Sequence, residues 1–394
     1  MLGELSELVS NLGIVRAGAE VAKIRAYNPA LVAGEGKCAE IIAAAESARA
    51  DAIIFDDELT PAQQRNWEEK SGMDIVTRQE VILDIFAARA RTREARLQVE
   101  LARLEYSLPR LRKAWSHLDR QRGGGVTQRG GGESQLELDR RGVRGRIARL
   151  KEELSRVRTV RATQRKRRER EPLPAAAVVG YTNAGKSSLI NRLAGSSLLS
   201  EDKLFATLDP TTRRLDLPGG APLLLTDTVG FVRKLPHRFV EAFKATLEEA
   251  VLSDFLVHVI DVSSPDAPEH ARTTLGVLKE LGADEKRTLT VFNKIDIAPD
   301  GAWRYALSLD FPDAVEVSAR TGRGMEALLA RLEEAAGETS VFMRLLIPHS
   351  RYEELALLHS RASVASQKYA DGGVEAEAHV PAKYAGRFRK WEAR

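Results

Sequence analysis

Cysteine is nearly missing from this chain: one residue, Cys38, in 394. No internal disulfide framework can form, and a reducing compartment is expected. No apolar run reaches transmembrane length, so no membrane span is expected. Residues 1–13 carry Glu4 and Glu7 and no basic flank, which argues against a signal peptide. No Cys/His cluster with metal-ligand spacing stands out, so a catalytic centre of that kind is not expected. What remains is a folded chain. Hydrophobic residues make up 43% of it, too many for disorder. Its length exceeds one ordinary core and implies two to four domains.

Net charge is only +4, but its distribution is uneven. Residues 89–170 hold 22 Arg and 3 Lys against 10 acidic residues, a local charge of +15 that leaves −11 for the rest. A basic segment on an otherwise acidic chain is the footprint of contact with nucleic-acid phosphates. The preference for Arg over Lys points to RNA, because guanidinium groups form forked phosphate contacts and stack on bases. A solvated helix surface is the plainer alternative.

Residues 1–78 read as a small α/β domain. Val21-Ala22-Lys23-Ile24 is expected to be a strand, Lys37–Arg49 a helix and Asp51–Asp56 a buried strand. Thr60 and Pro61 are expected to start a helix, as N-cap and first residue. Asp74–Thr77 completes a small parallel sheet. Gly34-Glu35-Gly36-Lys37 lacks full phosphate-loop spacing and reads as a turn. From 79 to 171 the pattern is long and helical. Leu97, Leu101, Leu104, Leu108, Leu111, Trp115 and Leu118 form one heptad seam, which Pro109 should bend. Val143, Ile147, Leu150, Leu154 and Val157 form another. The glycine-rich stretch 123–132 lies between them, so an antiparallel hairpin is expected. Its tip, flanked by Arg120, Arg122, Arg129, Arg140 and Arg141, is a candidate RNA probe.

Residues 172–337 carry the strongest signal. Gly180-Tyr181-Thr182-Asn183-Ala184-Gly185-Lys186-Ser187 has phosphate-loop spacing, between the apolar run Ala175–Val179 and a helical run from Ser188 to Leu193. Strand, loop and helix in that order let backbone N–H groups and a helix N-terminus close around phosphates. Lys186 is placed for the β/γ-phosphates and Ser187 for Mg²⁺. Leu223–Leu225 leads through Thr226 to Asp227-Thr228-Val229-Gly230. This spacing sets Asp227 near Mg²⁺, through water, and the Gly230 N–H at the γ-phosphate. Thr288–Phe292 leads into Asn293-Lys294-Ile295-Asp296. The Asp296 carboxylate can accept from guanine N1–H and its 2-amino group. Adenine would leave it unmatched, so GTP is expected over ATP. Ser318-Ala319-Arg320, after the strand Ala314–Val317, resembles the S-A-K/L loop that supports the base from the other side.

Taken together, these residues resemble the HflX family of ribosome-associated GTPases. The matching stretches are GYTNAGKSSLIN (180–191), LFATLDPT (204–211), DTVGFVRKLPH (227–237), FKATLEE (243–249), NKID (293–296) and the hairpin sequence GGGVTQRGGGESQLELDRR (123–141). Departures are mild: the family pattern has a Pro near Gly131, a Thr at Ser134 and a Thr after the position of Ser187. The resemblance implies an α/β multidomain chain with an N-terminal α/β domain, a helical hairpin, a P-loop GTPase domain with a mainly parallel sheet, and a small C-terminal α+β domain at 338–394. It implies hydrolysis of GTP to GDP and phosphate. It also implies binding to the large ribosomal subunit and its RNA, with splitting or rescue of stalled or idle ribosomes. Within Phe205-Ala206-Thr207-Leu208-Asp209, Thr207 is chosen over Thr211 and Thr212 to cap Mg²⁺ and sense the γ-phosphate. Lys186, Thr207 and Gly230 are the expected catalytic set; Ser187, Thr207 and Asp227 serve the metal. Phe231 stands where Ras-like enzymes carry a water-orienting Gln, so intrinsic hydrolysis should be slow. Asn183 occupies a loop position that holds K⁺ in related GTPases, so K⁺-assisted hydrolysis is weighed against an Asn that only bonds within the loop. A monomer in the cytoplasm is expected, with a fraction on ribosomes or membranes. Two rival functions are a GTPase subunit of a tRNA-modifying complex and a signalling switch with a protein effector. Past Gly337, a strand at 341–348, a helix at 352–366 and a strand at 373–381 are expected.

Overall fold

The computed structural model describes residues 2–24, 27–111, 131–168, 173–195, 205, 208–234, 249–338 and 340–393. The chain divides into two compact units, at about residue 157.

The first unit opens with α1 (Leu2–Asn11), α2 (Glu35–Ser47), β1 (Ala52–Phe55), α3 (Pro61–Ser71) and β2 (Asp74–Thr77). β1 and β2 pair in parallel, Ile53 opposite Ile75. Thr60 caps α3 reciprocally with Gln63, and Pro61 is its first residue, because Pro needs no amide partner there. Trp67 is fully buried and donates from Nε1 to Leu31 O at 2.9 Å. Three expectations need correction. Residues 21–24 form no strand and leave Val21 exposed; their alternation finds no partner edge. β1 is half-buried along its whole length rather than buried, as one strand of a two-stranded sheet must be. Gly34 is the N-cap of α2 with Glu35–Lys37 already helical, so the supposed turn is a helix start.

α4 (Arg78–Arg89) and α5 (Arg93–Ser107) follow, and a 3₁₀ turn at Leu108–Arg110 ends the run. Pro109 terminates the helix here rather than bending it. Leu111 lies past this turn, and Trp115, Leu118 and the 123–130 part of the tip lie outside the described residues. α6 runs from Gly131 to Arg168. Leu97 and Leu101 of α5 pack with Ile147, Leu150 and Leu154 of α6, flanked by Leu104, Leu108, Val143 and Val157. The two heptad seams therefore face each other. Ion pairs Arg93–Glu153 and Arg146–Glu100 run in opposite senses along the two helices, as in an antiparallel pair.

The second unit is built on a six-stranded sheet in the order β4-β5-β3-β6-β7-β8. Its strands are β3 (Ala175–Gly180), β4 (Thr211–Asp216), β5 (Pro222–Asp227), β6 (Phe255–Asp261), β7 (Thr288–Asn293) and β8 (Val315–Glu316). Only β4 is antiparallel. The parallel strands read as continuous apolar runs because helices cover both faces. The helices are α7 (Lys186–Leu193), α8 (Ala267–Glu280), α9 (Ala302–Asp310) and α10 (Met325–Glu338). Beyond them β9 (Ser340–Ile347), α11 (Tyr352–Arg361), β10 (Ser363–Ala370), β11 (Gly373–Pro381) and α12 (Ala382–Phe388) make a three-stranded antiparallel sheet, order β10-β11-β9. The helix expected over 352–366 stops at Arg361, and Ser363 begins a strand. Val364 pairs with Ala378 there, joining the core of the small sheet, so tertiary pairing outweighs local helical pattern.

Candidate nucleotide site

The central strand β3 delivers the phosphate loop at its carboxyl end. In open α/β sheets ligands bind at that edge, where strand order reverses, and here the chain passes from β5 on one side of β3 to β6 on the other. The loop turns on two glycines. Gly180 has φ +150° and a side chain there would collide with Val259 O. Gly185 has φ +89° and a side chain would collide with the Asn293 amide. Asn183 adopts the left-handed conformation at φ +60°, which Asn tolerates.

Lys186 and Ser187 begin α7. Lys186 is buried, and its Nζ donates to Gly180 O at 3.1 Å and Tyr181 O at 2.9 Å. Burial pushes its ammonium down to about 8, with the Asp227 carboxylate pulling the other way. A polyphosphate beside it would favour the charged form. Ser187 Oγ donates to Asp227 Oδ2 at 2.6 Å, which joins the first residue after the loop lysine to the carboxyl end of β5. Thr228 is fully buried and donates from Oγ1 to Val178 O at 2.7 Å. Gly230 sits against the loop so closely that a Cβ would lie 2.6 Å from Thr182 Cα and 2.9 Å from Lys186 Nζ. Backbone bonds lock this approach: Thr182 N to Phe231 O at 2.7 Å and Phe231 N to Gly180 O at 3.1 Å. Val229 is buried with them.

Phe205 is buried with φ +55° and donates its N–H to Thr182 Oγ1 at 3.0 Å. Leu208 is buried and Asp209 half-buried just before β4. Ala206 and Thr207 lie outside the described residues. The competing threonines are in β4, where Thr212 Oγ1 is 2.9 Å from Thr226 Oγ1.

The residues expected to read the base gather at the ends of β7 and β8. Asn293 is buried; its Nδ2 donates to Ala184 O at 2.8 Å and its Oδ1 accepts from Ala319 N at 3.1 Å. One amide thus ties the phosphate loop to the base loop. Lys294, at φ +64°, pairs with Asp261 at the end of β6, 2.8 Å. Ile295 is buried, and its N–H donates to Val317 O at 3.3 Å. Asp296 Oδ1 accepts from Ser318 Oγ at 2.7 Å, and Arg320 Nε lies 3.2 Å from Oδ2. The Ser318 hydroxyl, with Arg320 and Lys294 adding their charge, holds the Asp296 carboxyl below the usual carboxylate range against a smaller effect of burial. An ionised carboxylate fixed at one edge is what an N1–H and an exocyclic amine require.

Several partners of the expected residues were not themselves expected. His270 of α8 stacks on the expected Tyr181 at 3.8 Å between centroids, and Arg233 donates its N–H to the Tyr181 hydroxyl at 2.8 Å. Arg233 also pairs with Glu269 at 3.3 Å. Arg192 of α7 donates to Ala319 O and Arg320 O. Asp261 could have been found as the acidic end of an apolar run; Arg192, Glu269 and His270 carry no local signal, since their partners are distant in the chain.

A phosphate loop, a strand-end Asp-x-x-Gly and an Asn-Lys-x-Asp loop at one sheet edge define a P-loop GTPase. Three family models agree. Residues 1–87 match one described as GTP-binding GTPase N-terminal, residues 89–168 one described as GTP-binding GTPase Middle Region, and residues 175–294 one described as 50S ribosome-binding GTPase. The chain is 49% identical over 404 aligned positions to GTPase HflX of Akkermansia muciniphila, covering 100% of this chain and 92% of that protein. It is 40% identical to GTPase HflX of Escherichia coli K12, covering 96% and 89%. Among solved structures, a GTP-binding protein from Sulfolobus solfataricus in complex with GDP aligns at 25% identity and TM-score 0.46, over 86% of this chain and 96% of that one. The chain belongs to the HflX family of GTPases. It binds GTP and GDP and hydrolyses GTP.

Proposed function

We propose that this GTPase acts on the large ribosomal subunit, binding ribosomal RNA through its basic helical hairpin and splitting or rescuing stalled or idle ribosomes. The observation that carries this reading is the distribution of arginine. Along the described seam many basic residues are consumed by acidic partners: Arg93–Glu153, Arg146–Glu100, Lys151–Glu105 and Arg156–Glu152. Local charge over 89–170 is nonetheless +15, and Arg141 and Arg149 of α6 are exposed. The excess therefore exceeds what the hairpin needs for its own cohesion, and phosphate contact is its natural use. The description of the family model over 175–294, 50S ribosome-binding, supports the same partner. A monomer working in the cytoplasm fits this reading.

In the site, Lys186 neutralises the β/γ-phosphates and the loop amides surround them. Asp296 reads guanine, with Asn293 and Lys294 fixing the loop. The paired hard oxygens of Ser187 and Asp227, 2.6 Å apart beside Lys186, suit Mg²⁺, which prefers one or two carboxylate or hydroxyl oxygens plus phosphate. Bound there with Thr207 as a further oxygen, Mg²⁺ would supply charge neutralisation of the phosphates. The Gly230 N–H is the donor for the γ-phosphate. Phe231 is buried and offers no hydrogen bond to a water, so another group must assist. Asn183, held in the loop at φ +60°, is the candidate to hold K⁺ beside the phosphates.

The test is GTPase turnover with and without purified large ribosomal subunits, at two salt concentrations. A large stimulation that weakens with salt is expected, because each neutralised phosphate releases a counterion. Absence of stimulation from folded, GTP-bound protein would overturn the ribosomal reading and leave the GTPase intact. Equal turnover in K⁺ and Na⁺ buffers would remove the K⁺ role alone.

A further inference from the structure

The loop that follows β8 has no regular structure to hold it. It turns at Gly322 and Gly324, with φ +88° and +77°, and its internal bonds are short-range: Gly322 N to Ser318 O at 2.9 Å and Ser318 N to Arg323 O at 2.9 Å. Yet Ser318 must keep its hydroxyl on Asp296, and Ala319 must keep its N–H on Asn293 Oδ1. One tie to the rest of the domain is the Asn293 amide. Another is Arg192, at the carboxyl end of α7. Its Nε donates to Ala319 O at 3.2 Å and its Nη2 to Arg320 O at 2.7 Å. Two donors of one planar group on two successive carbonyls fix the orientation of both peptides. α7 is also the helix that starts with Lys186 and Ser187. The guanidinium therefore joins the phosphate-binding helix directly to the base-reading loop, across 127 and 128 residues of sequence.

We propose that Arg192 is a positioning residue for guanine recognition, gripping the 318–320 loop so that Ser318 and Asp296 stay aligned with the base. The proposal rests on the reading of Asp296 as the guanine acceptor. A lysine could reach only one carbonyl at a time as a point charge. An arginine at a helix carboxyl end also favours the helix dipole, but that role would affect stability and not base selectivity. The difference makes the two roles separable.

The experiment uses the full chain with Arg192→Ala and Arg192→Lys, and measures equilibrium binding of GDP and of IDP, which lacks the 2-amino group. Steady-state KM and kcat for GTP are measured alongside. Arg192→Ala should bind GDP roughly tenfold more weakly, a change of about 1.4 kcal/mol. Its preference for GDP over IDP should shrink, and KM should rise while kcat at saturation holds. Arg192→Lys should fall between. An unchanged IDP/GDP ratio would overturn the proposal; should the alanine variant fail to fold, the lysine variant decides by the same ratio. Asp296→Asn is measured in parallel with XDP. If that variant does not move from guanine to xanthine, the Asp296 reading itself fails. If it does move and the Arg192 variants keep the wild-type ratio, only the tether fails.

Discussion

On the proposed reading, the single side chain of Asp296 would set nucleotide choice. Its carboxylate is oriented by Ser318 and kept ionised by that hydroxyl with nearby positive charge. Replacing it with Asn swaps one acceptor for a donor. Guanine would then face a repelled 2-amino group, while xanthine, with a carbonyl at C2, would be matched. Asp296→Asn should therefore lose GTP affinity by tenfold or more, on the order of 1–3 kcal/mol for an unmatched buried donor, and gain XTP binding. Competition with labelled GDP measures both. Gly185 works by what it lacks: the space where its Cβ would lie is taken by the Asn293 amide, the group that bonds Ala184 O and Ala319 N. A loop glycine and a base-motif asparagine thus depend on each other for the same few ångströms.

Single elements carry separable tasks. The α5–α6 pair is held by a leucine seam in which Leu150 is fully buried. Leu150→Ala should destabilise the first unit by roughly 2–5 kcal/mol, read as a lowered denaturant midpoint. In β6, His258 is buried between β3 and β7, with both ring nitrogens without a hydrogen bond and Phe311 against its edge at 5.9 Å. Burial, assisted by the nearby Lys186 charge, pushes it down to about 4. The ring is then neutral in the folded protein and charged in the unfolded chain below its ordinary value near 6.5. Its contribution to stability is complete above about pH 6.5 and is lost as pH falls to about 4, amounting to ~3 kcal/mol. His258→Leu should flatten the fall of stability between those pH values, as followed by chemical denaturation at a series of pH values.

At the scale of the whole molecule, the chain forms two compact units and the nucleotide site belongs to the second. GDP should stabilise that unit alone by mass action, by about 2.7 kcal/mol at a hundredfold excess over its Kd. Calorimetry should show two transitions, of which only one moves with GDP. If both moved together, the units would be unfolding as one. Among the described residues, no helix is long and apolar enough to cross a membrane.

Much of this was legible in order and spacing. The strand run Ala175–Val179, the loop after it, the cap at Thr60, the carboxyl-edge Asp227 and the Asn293–Asp296 loop follow from local rules, because apolar runs, glycines at turns and helix caps act over a few residues. The two leucine seams were legible as well, since heptad spacing is a one-dimensional signal. Tertiary structure decided what depends on partners far apart in the chain. Val21–Ile24 has the pattern of a strand but no edge to join. Residues 363–366 continue the helical pattern expected from 352 yet pair with β11, because pairing along that strand outweighs it. Arg192, Glu269 and His270 look like ordinary helix residues until folding brings Ala319, Arg233 and Tyr181 to them. The chain by itself determined which chemistry was present; the fold determined which groups hold that chemistry in place, because hydrogen bonds and ion pairs form between neighbours in space.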